Sequence, residues 1–296
     1  MTRDLVIIGA GCAGLTAAIY AARAGKSVLV LEQETVGGQI SYSPRVENYP
    51  GIAAISGAEF SDNLFSQAET LGVDLELETV ERLIPGDPHT VVTDCAEHQA
   101  RAVIVATGVK HRHLSLPGED TLSGISYCAI CDGAFYKGKT VAVVGGGSTA
   151  LQSAELLSGL CKTVYLIHRR DAFRGERHLV ERVSQLPNVE LLCNRTISAL
   201  EGHSTLERLV LRDVCTGGES PLPVDGLFVC IGQIPSNQAF SNVLEMDAEG
   251  YLMAGEDCKT NVPGIFAAGD CRTKQVRQLT TAAADGSVAA LSALEY

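Results

Sequence analysis

The sequence predicts an α/β protein made of two open parallel-sheet units. Three observations carry that expectation. A short apolar run near the start breaks into glycines and then into a helical pattern. The same run-glycine-helix pattern returns later at a constant offset of 136 residues. The composition, 46% hydrophobic with 30 glycines in 296 residues, suits about two domains rich in tight strand-to-helix turns.

In the first copy, residues 4–11 read Asp-Leu-Val-Ile-Ile-Gly-Ala-Gly; in the second, residues 140–147 read Thr-Val-Ala-Val-Val-Gly-Gly-Gly. Gly9, Gly11 and Gly14 correspond to Gly145, Gly147 and Ala150. The first glycine makes a tight turn, the second lets the backbone approach a pyrophosphate, and the third position must be small so that helix and strand pack closely. The pyrophosphate then meets a helix N-terminus. One such fingerprint is weak; two in register, each with a second strand at the right distance, make a pair of Rossmann-like dinucleotide sites. Cys12 and Ala13 fill the first loop, and Ser148 and Thr149 the second.

The second strands are Val28–Leu31, ending at Glu32, and Val164–Ile167, ending at His168. Glu32 can accept hydrogen bonds from ribose hydroxyls, which suits an unphosphorylated adenosine ribose. The second site offers His168, Arg169 and Arg170, with Arg174 a turn later. Arginines there match a 2′-phosphate through charge-assisted, bidentate bonds, which favours NADP over NAD. The competing reading is a solvated basic patch at a strand end.

Between the two fingerprints lies Cys128-Ala129-Ile130-Cys131-Asp132. A dithiol between two nucleotide sites has the order of an electron relay. Closed zinc sites need four ligands, usually from a second cysteine pair or a histidine pair; no second pair is present, and His111 and His113 are poorly spaced, so no metal is expected. Thiolates in such pairs are good nucleophiles for disulfide exchange. Asp132 can exchange a proton with a departing thiolate, or serve only as a cap or turn residue. Most of the other eight cysteines stand in apolar contexts and read as small buried hydrophobes.

The net charge of −12 argues against a nucleic-acid partner. No apolar run is long enough to span a bilayer, and Leu5–Ile8 is too short for a signal-peptide core, so the expected location is the cytoplasm. Ten cysteines in a chain this long do not make a secreted disulfide scaffold.

Taken in order, these motifs resemble the low-molecular-weight thioredoxin reductases over essentially the whole chain. Besides the two loops and the cysteine pair, the resemblance rests on Gly37-Gly38-Gln39-Ile40, Val46-Glu47-Asn48-Tyr49-Pro50-Gly51, Ala106-Thr107-Gly108, His168 to Arg174, Ile265 to Asp270, and Arg277-Gln278-Leu279. It implies FAD in the first site and NADPH in the second. It implies a discontinuous FAD domain, residues 1–113 and 241–296, with the NADPH domain, 114–240, inserted. FAD would be held by the first glycine loop, by Glu32, Gly37, Gly38 and Gln39, and by Asn48, Thr107, Gly108, Gly269, Asp270, Arg277, Gln278 and Leu279. NADPH would be held by the second loop, by His168, Arg169, Arg170 and Arg174, and by Ile231 and Gly232. Cys131 would face the flavin, Cys128 would attack a thioredoxin-like protein, and Asp132 would be the acid–base partner. The resemblance further implies a homodimer and a rotation of one domain against the other, with hinges near 113–117 and 235–243.

The sequence departs from that pattern at Cys12, where the family commonly has Pro, and at Ala134, where many members carry an aromatic. Gln152-Ser153 stands where many carry glutamates that orient the nicotinamide. A slow hydride transfer would point to another donor such as ferredoxin. A small-molecule dithiol oxidase would share the flavin core and the cysteine pair but tends to lack the basic signature.

Overall fold

The computed structural model describes residues 2–296. The chain forms two compact units: residues up to Lys110 together with Ile234–Tyr296, and His111–Gln233.

In the first unit, β1 (Thr2–Ile8), α1 (Cys12–Arg23) and β2 (Val28–Glu32) form a parallel β-α-β turn. α2 (Gly57–Thr70) leads to β3 (Asp74–Leu77), parallel beside β2. Ser56 caps α2 by accepting a bond from the Glu59 amide. β4 (Val80–Ile84) and β5 (His89–Thr93) run antiparallel into β6 (Glu97–Val105), which returns parallel to β1 on its other side. β7 (Val109–His111) then carries the chain into the second unit.

There, β8 (Ile125–Ser126) is followed by the single-turn α3 (Ala129–Asp132), and then β9 (Thr140–Val144), α4 (Ser148–Ser158) and β10 (Thr163–Ile167) repeat the opening motif. α5 (Arg177–Ser184) and β11 (Val189–Leu192) extend it. β12 (Arg195–Gly202), β13 (Leu206–Asp213) and β14 (Glu219–Pro223) form a separate antiparallel sheet. β15 (Gly226–Val229) rejoins the parallel sheet, whose order is β11-β10-β9-β15-β8. β16 (Gln233–Pro235) returns the chain to the first unit. There β17 (Ile265–Ala267) pairs with the C-terminal half of β6, and α6 (Leu279–Leu294) closes the fold.

The strands read as continuous apolar runs because both faces of each parallel sheet are covered. Leu5 and Ile7 enter one core with α1 and α6 residues, while the alternate residues Val6 and Ile8 enter a second core with Leu29 and Leu31. In the second unit Val141 and Val143 pack with α4, while Ala142 and Val144 pack with Leu209 and Leu211 of β13. Each fully buried Val, Leu or Ile contributes about 1.5–3 kcal/mol.

Each parallel sheet reverses its winding once: at β1, with β2 on one side and β6 on the other, in the first unit, and at β9, with β10 on one side and β15 on the other, in the second. Such a reversal leaves a crevice at the carboxyl ends of the central strands. Gly9 and Ala106 flank it in the first unit, and Gly145 and Cys230 in the second. A Cβ on Gly9 would lie 2.4 Å from the Ala106 carbonyl oxygen, and one on Gly145 would lie 2.3 Å from that of Cys230.

The compact units meet in the chain at 110/111 and 233/234. Turn residues mark loops, but buried contacts set the boundary. Ser236 donates its amide to the Gly108 carbonyl, and Phe240 is buried among Leu83, Leu244 and Leu252, so residues 234–240 belong to the first unit.

Candidate active site

Cys128 and Cys131 are joined as a disulfide, with Cα atoms 5.3 Å apart. Cys128 caps α3, and the Cys131 amide donates to the Cys128 sulfur at 3.2 Å. A donor aimed at that sulfur favours its thiolate once the bond is reduced. Ile130, between the two cysteines, is 64% exposed, so the turn presents the pair at a surface.

Asp132 ends the same turn. Its Oδ2 accepts a 2.6 Å bond from the buried Ser126 hydroxyl, while its Oδ1 is buried without a partner. Burial raises its carboxyl above the usual carboxylate range, and the Ser126 bond opposes the rise. The carboxyl is thus poised to take up a proton close to the dithiol turn. The Ser126 hydroxyl also accepts the Cys128 amide, which ties the acid to the cysteine segment.

A second polar cluster precedes Cys128 and carries no signature in the sequence. Tyr127 donates its hydroxyl to Glu119 at 2.8 Å and lies 2.9 Å from His113 Nδ1. The Glu119 carboxylate, 2% exposed, also accepts the Leu114 and Ser115 amides. Ser115 has a left-handed φ of 59°, which these bonds hold in place. His111 stacks on Tyr127, and burial pushes its imidazole down to about 4.

The first glycine loop has the shape of a phosphate cradle. Gly9 has φ 109°, and a Cβ on Gly14 would lie 1.9 Å from the Gly9 oxygen, so both must be glycine. A Cβ on Gly11 would face open space, its nearest neighbour being the Gly37 oxygen at 3.9 Å. Cys12 and Ala13 start α1 behind the loop; burial pushes the Cys12 thiol up to about 11, and Cys12 is a packed residue. Glu32, at the end of β2, is buried and accepts the Ala10 and Glu34 amides at 2.8 Å each. Gly37 and Gly38 turn the chain at φ 97° and 64°, and Gln39 is exposed on the next turn.

The remaining expected residues of this unit converge from the far end of the chain. Asn48 donates to Gln278 at 3.2 Å. Thr107 bonds to Asn237, Gly108 has φ 64°, and Leu279 begins α6 beside Cys12. Gly269 turns at φ 78° against Ala13, leading into Asp270. Asp270 is half-buried with its Oδ1 enclosed and unpartnered, and burial raises its carboxyl. Arg277 lies over the Tyr251 ring at 4.1 Å. An open glycine loop, a carboxylate at the strand end and an orphaned buried acceptor are what a dinucleotide needs, so these residues fit one.

The second loop repeats the geometry. Gly145 has φ 156° and abuts the Cys230 carbonyl and the Ala150 methyl, and Gly147 has nothing within 4 Å of a Cβ. Ser148 accepts the Glu176 amide, Thr149 is exposed at the helix start, and Ala150 is fully buried. Ile231 and Gly232 follow β15, with Gly232 at φ 119°. Arg169, Arg170 and Arg174 are exposed and, among the described residues, form no ion pair. These residues also fit a dinucleotide.

His168 does not stand with those arginines. Its ring is 5% exposed, stacks on Phe173 and fills the space over Gly146, where a Cβ would lie 2.0 Å from it. Burial lowers its basicity, and the three arginines lower it further. Its role in the structure is to floor the loop.

Of the departures, Gln152 is exposed, while Ser153 is buried against the Cys230 thiol at 3.5 Å. Ala134 is exposed just beyond the dithiol turn.

This pairing of two nucleotide cradles with a dithiol defines the class. The chain belongs to the pyridine nucleotide-disulphide oxidoreductase family, whose profile matches residues 3–286. Within it the chain is similar to the low-molecular-weight thioredoxin reductases. It is 41% identical to the thioredoxin reductase of Bacillus subtilis over 99% of this chain and 94% of that protein. It is 43% identical to that of Streptomyces coelicolor, over 98% and 92%. The crystal structure of thioredoxin reductase from Streptococcus pyogenes superposes with a TM-score of 0.96 at 36% identity, covering 100% of this chain and 98% of that one. Use of a flavin and a pyridine nucleotide goes with this family. Among the described residues no helix is long and apolar enough to cross a membrane.

Proposed function

We propose that this chain is an NADPH-dependent thioredoxin-disulfide reductase acting through the Cys128–Cys131 pair. The observation that carries the reading is the dithiol turn itself: a disulfide bracketing an exposed Ile130, with an amide aimed at Cys128 and a buried carboxyl two bonds away through Ser126. FAD would occupy the first cradle, held by the Gly9–Gly14 loop, Glu32, the Gly37–Gln39 turn, Asn48, Thr107, Gly108 and the Gly269–Leu279 segment. NADPH would occupy the second, held by the Gly145–Ala150 loop, Ile231 and Gly232, with Arg169, Arg170 and Arg174 on its 2′-phosphate.

When bound, the two cofactors supply a hydride equivalent, and so the electron pair that opens the Cys128–Cys131 disulfide. The Cys128 thiolate, stabilised by the Cys131 amide, attacks one sulfur of the partner's disulfide, which breaks that S–S bond, forms a mixed disulfide and releases the partner's first thiolate. The Cys131 thiolate then attacks Cys128, re-forming the internal disulfide and releasing the partner's second thiolate. Asp132, protonated more readily than an ordinary carboxyl, donates the proton that the leaving thiolate takes. A thioredoxin-like protein is the partner the relatives' names support, and the reading includes a homodimer located in the cytoplasm.

The test is anaerobic stopped-flow mixing with NADPH and with NADH, following flavin absorbance. Bleaching much faster with NADPH is expected. The same trace is expected for Cys128→Ser, which should no longer reduce thioredoxin. Bleaching by dithionite alone would point to another donor, for which the exposed Gln152 and buried Ser153 are the residues to revert. Loss of bleaching in Cys128→Ser would overturn the division of labour between the cysteines.

A further inference from the structure

We propose that Asp285 is the positioning residue of the first dinucleotide cradle, fixing the turn that carries Asp270 against the glycine loop. The proposal rests on the reading that this cradle takes FAD.

Asp285 lies in α6, fifteen residues beyond Asp270, and its side chain is 10% exposed. Arg272 grips it with two bonds, Nε to Oδ2 at 2.8 Å and NH2 to Oδ1 at 2.7 Å. Lys274, 8% exposed, adds a bond to Oδ2 at 2.9 Å. The Gly269 amide donates to the same oxygen at 3.0 Å. One carboxylate thus joins three points of the segment 269–274.

That segment needs holding. Gly269 is left-handed and packs against the Ala13 methyl; the next residue along α6, Gly286, packs so closely on Ala13 that a Cβ would lie 2.2 Å from its carbonyl. Asp285 therefore sits where α6, the glycine loop and the Asp270 turn meet. Two buried cations against one carboxylate leave an unbalanced positive charge. Asp270, half-buried with its Oδ1 enclosed and unpartnered, is a further carboxylate within the field of Lys274 and Arg277, with Asp285 opposing them. Asp285 bonds the residues on either side of Asp270, Gly269 and Arg272, and Arg277 donates to the Asp270 carbonyl, so the turn that offers Asp270 as an acceptor for a hydroxyl-bearing ligand is fixed through its backbone. Burying such charges is tolerated where further hydrogen bonds support them, and here Arg272 also donates to the Ala254 and Thr273 carbonyls and Lys274 to the Thr281 carbonyl.

The glycine loop would hold the ADP half of the cofactor, while Asp270 would hold the ribityl side. The test is equilibrium binding of FAD and of ADP to the flavin-free full chain, read by flavin fluorescence and by competition. In Asp285→Asn, FAD affinity is expected to fall about tenfold or more, with ADP affinity within about twofold of wild type. Lys274→Met keeps a neutral Arg272–Asp285 pair and carries the test if Asp285→Asn does not fold. It should weaken FAD at least about threefold and again spare ADP. Parallel weakening of both ligands, or no change in either, overturns the proposal. A wild-type chain that takes up ADP but no FAD overturns the flavin reading, and the proposal with it.

Discussion

At the scale of single residues, Asp132 shows how the site trades stability for chemistry. Burial raises its folded-state pKa above the unfolded value. The folded chain therefore holds that proton more tightly, and the associated stability is present below the unfolded pKa and lost as pH rises through the folded one. At neutral pH the buried charge is a burden. Asp132→Asn should melt at a higher temperature than wild type at pH 7, with the difference vanishing below about pH 4. The same variant should slow thiol–disulfide exchange about a hundredfold while leaving flavin bleaching intact. Ser126→Ala, which removes the opposing bond, should move the titration limb of exchange to higher pH. The exposed arginines make a separate prediction. Replacing Arg169, Arg170 and Arg174 by Ala should raise the KM for NADPH at least about tenfold and leave that for NADH nearly unchanged.

At the scale of elements, the two glycine loops separate folding from binding position by position. Gly145 sits at φ 156° with its Cβ direction blocked by the Cys230 carbonyl, so Gly145→Ala should destabilise the second unit. Gly147 has extended backbone, φ −93° and ψ 178°, and open space beside it. Gly147→Ala should keep the melting temperature and lose nucleotide affinity, because a methyl would stand where a phosphate approaches. Calorimetry and NADP⁺ titration of the two variants check this; equal loss of stability in both would rule out the cradle reading. These loops were legible because their spacing is a backbone requirement. The Tyr127–Glu119–His113 cluster was not, since Ser115 and Tyr127 meet only through a loop whose path depends on its packing. That the His168 ring packs over Gly146 and against Phe173 is likewise a tertiary contact that the strand-end sequence does not spell out.

At the scale of the molecule, each compact unit has its own cores, so unfolding need not be a single event. A ligand stabilises only the unit that binds it. In scanning calorimetry of the flavin-free chain, FAD should raise one transition and NADP⁺ the other. If both ligands moved the same transition, the assignment of one cradle to each cofactor would fail.

The sequence alone determined the local chemistry: two strand–glycine–helix motifs, a carboxylate against a basic strand end, and a cysteine pair with an adjoining acid. Each is written in neighbouring residues, because turn sterics and thiol chemistry act over a few bonds. The tertiary structure alone decided where residues 234–240 belong, that Asn237 ties Thr107 to Gly250 and Cys271, and that Asp285 meets Gly269, Arg272 and Lys274. Those relations join positions up to 130 residues apart. They exist only once burial has excluded water and left each polar group to find its partner within the fold.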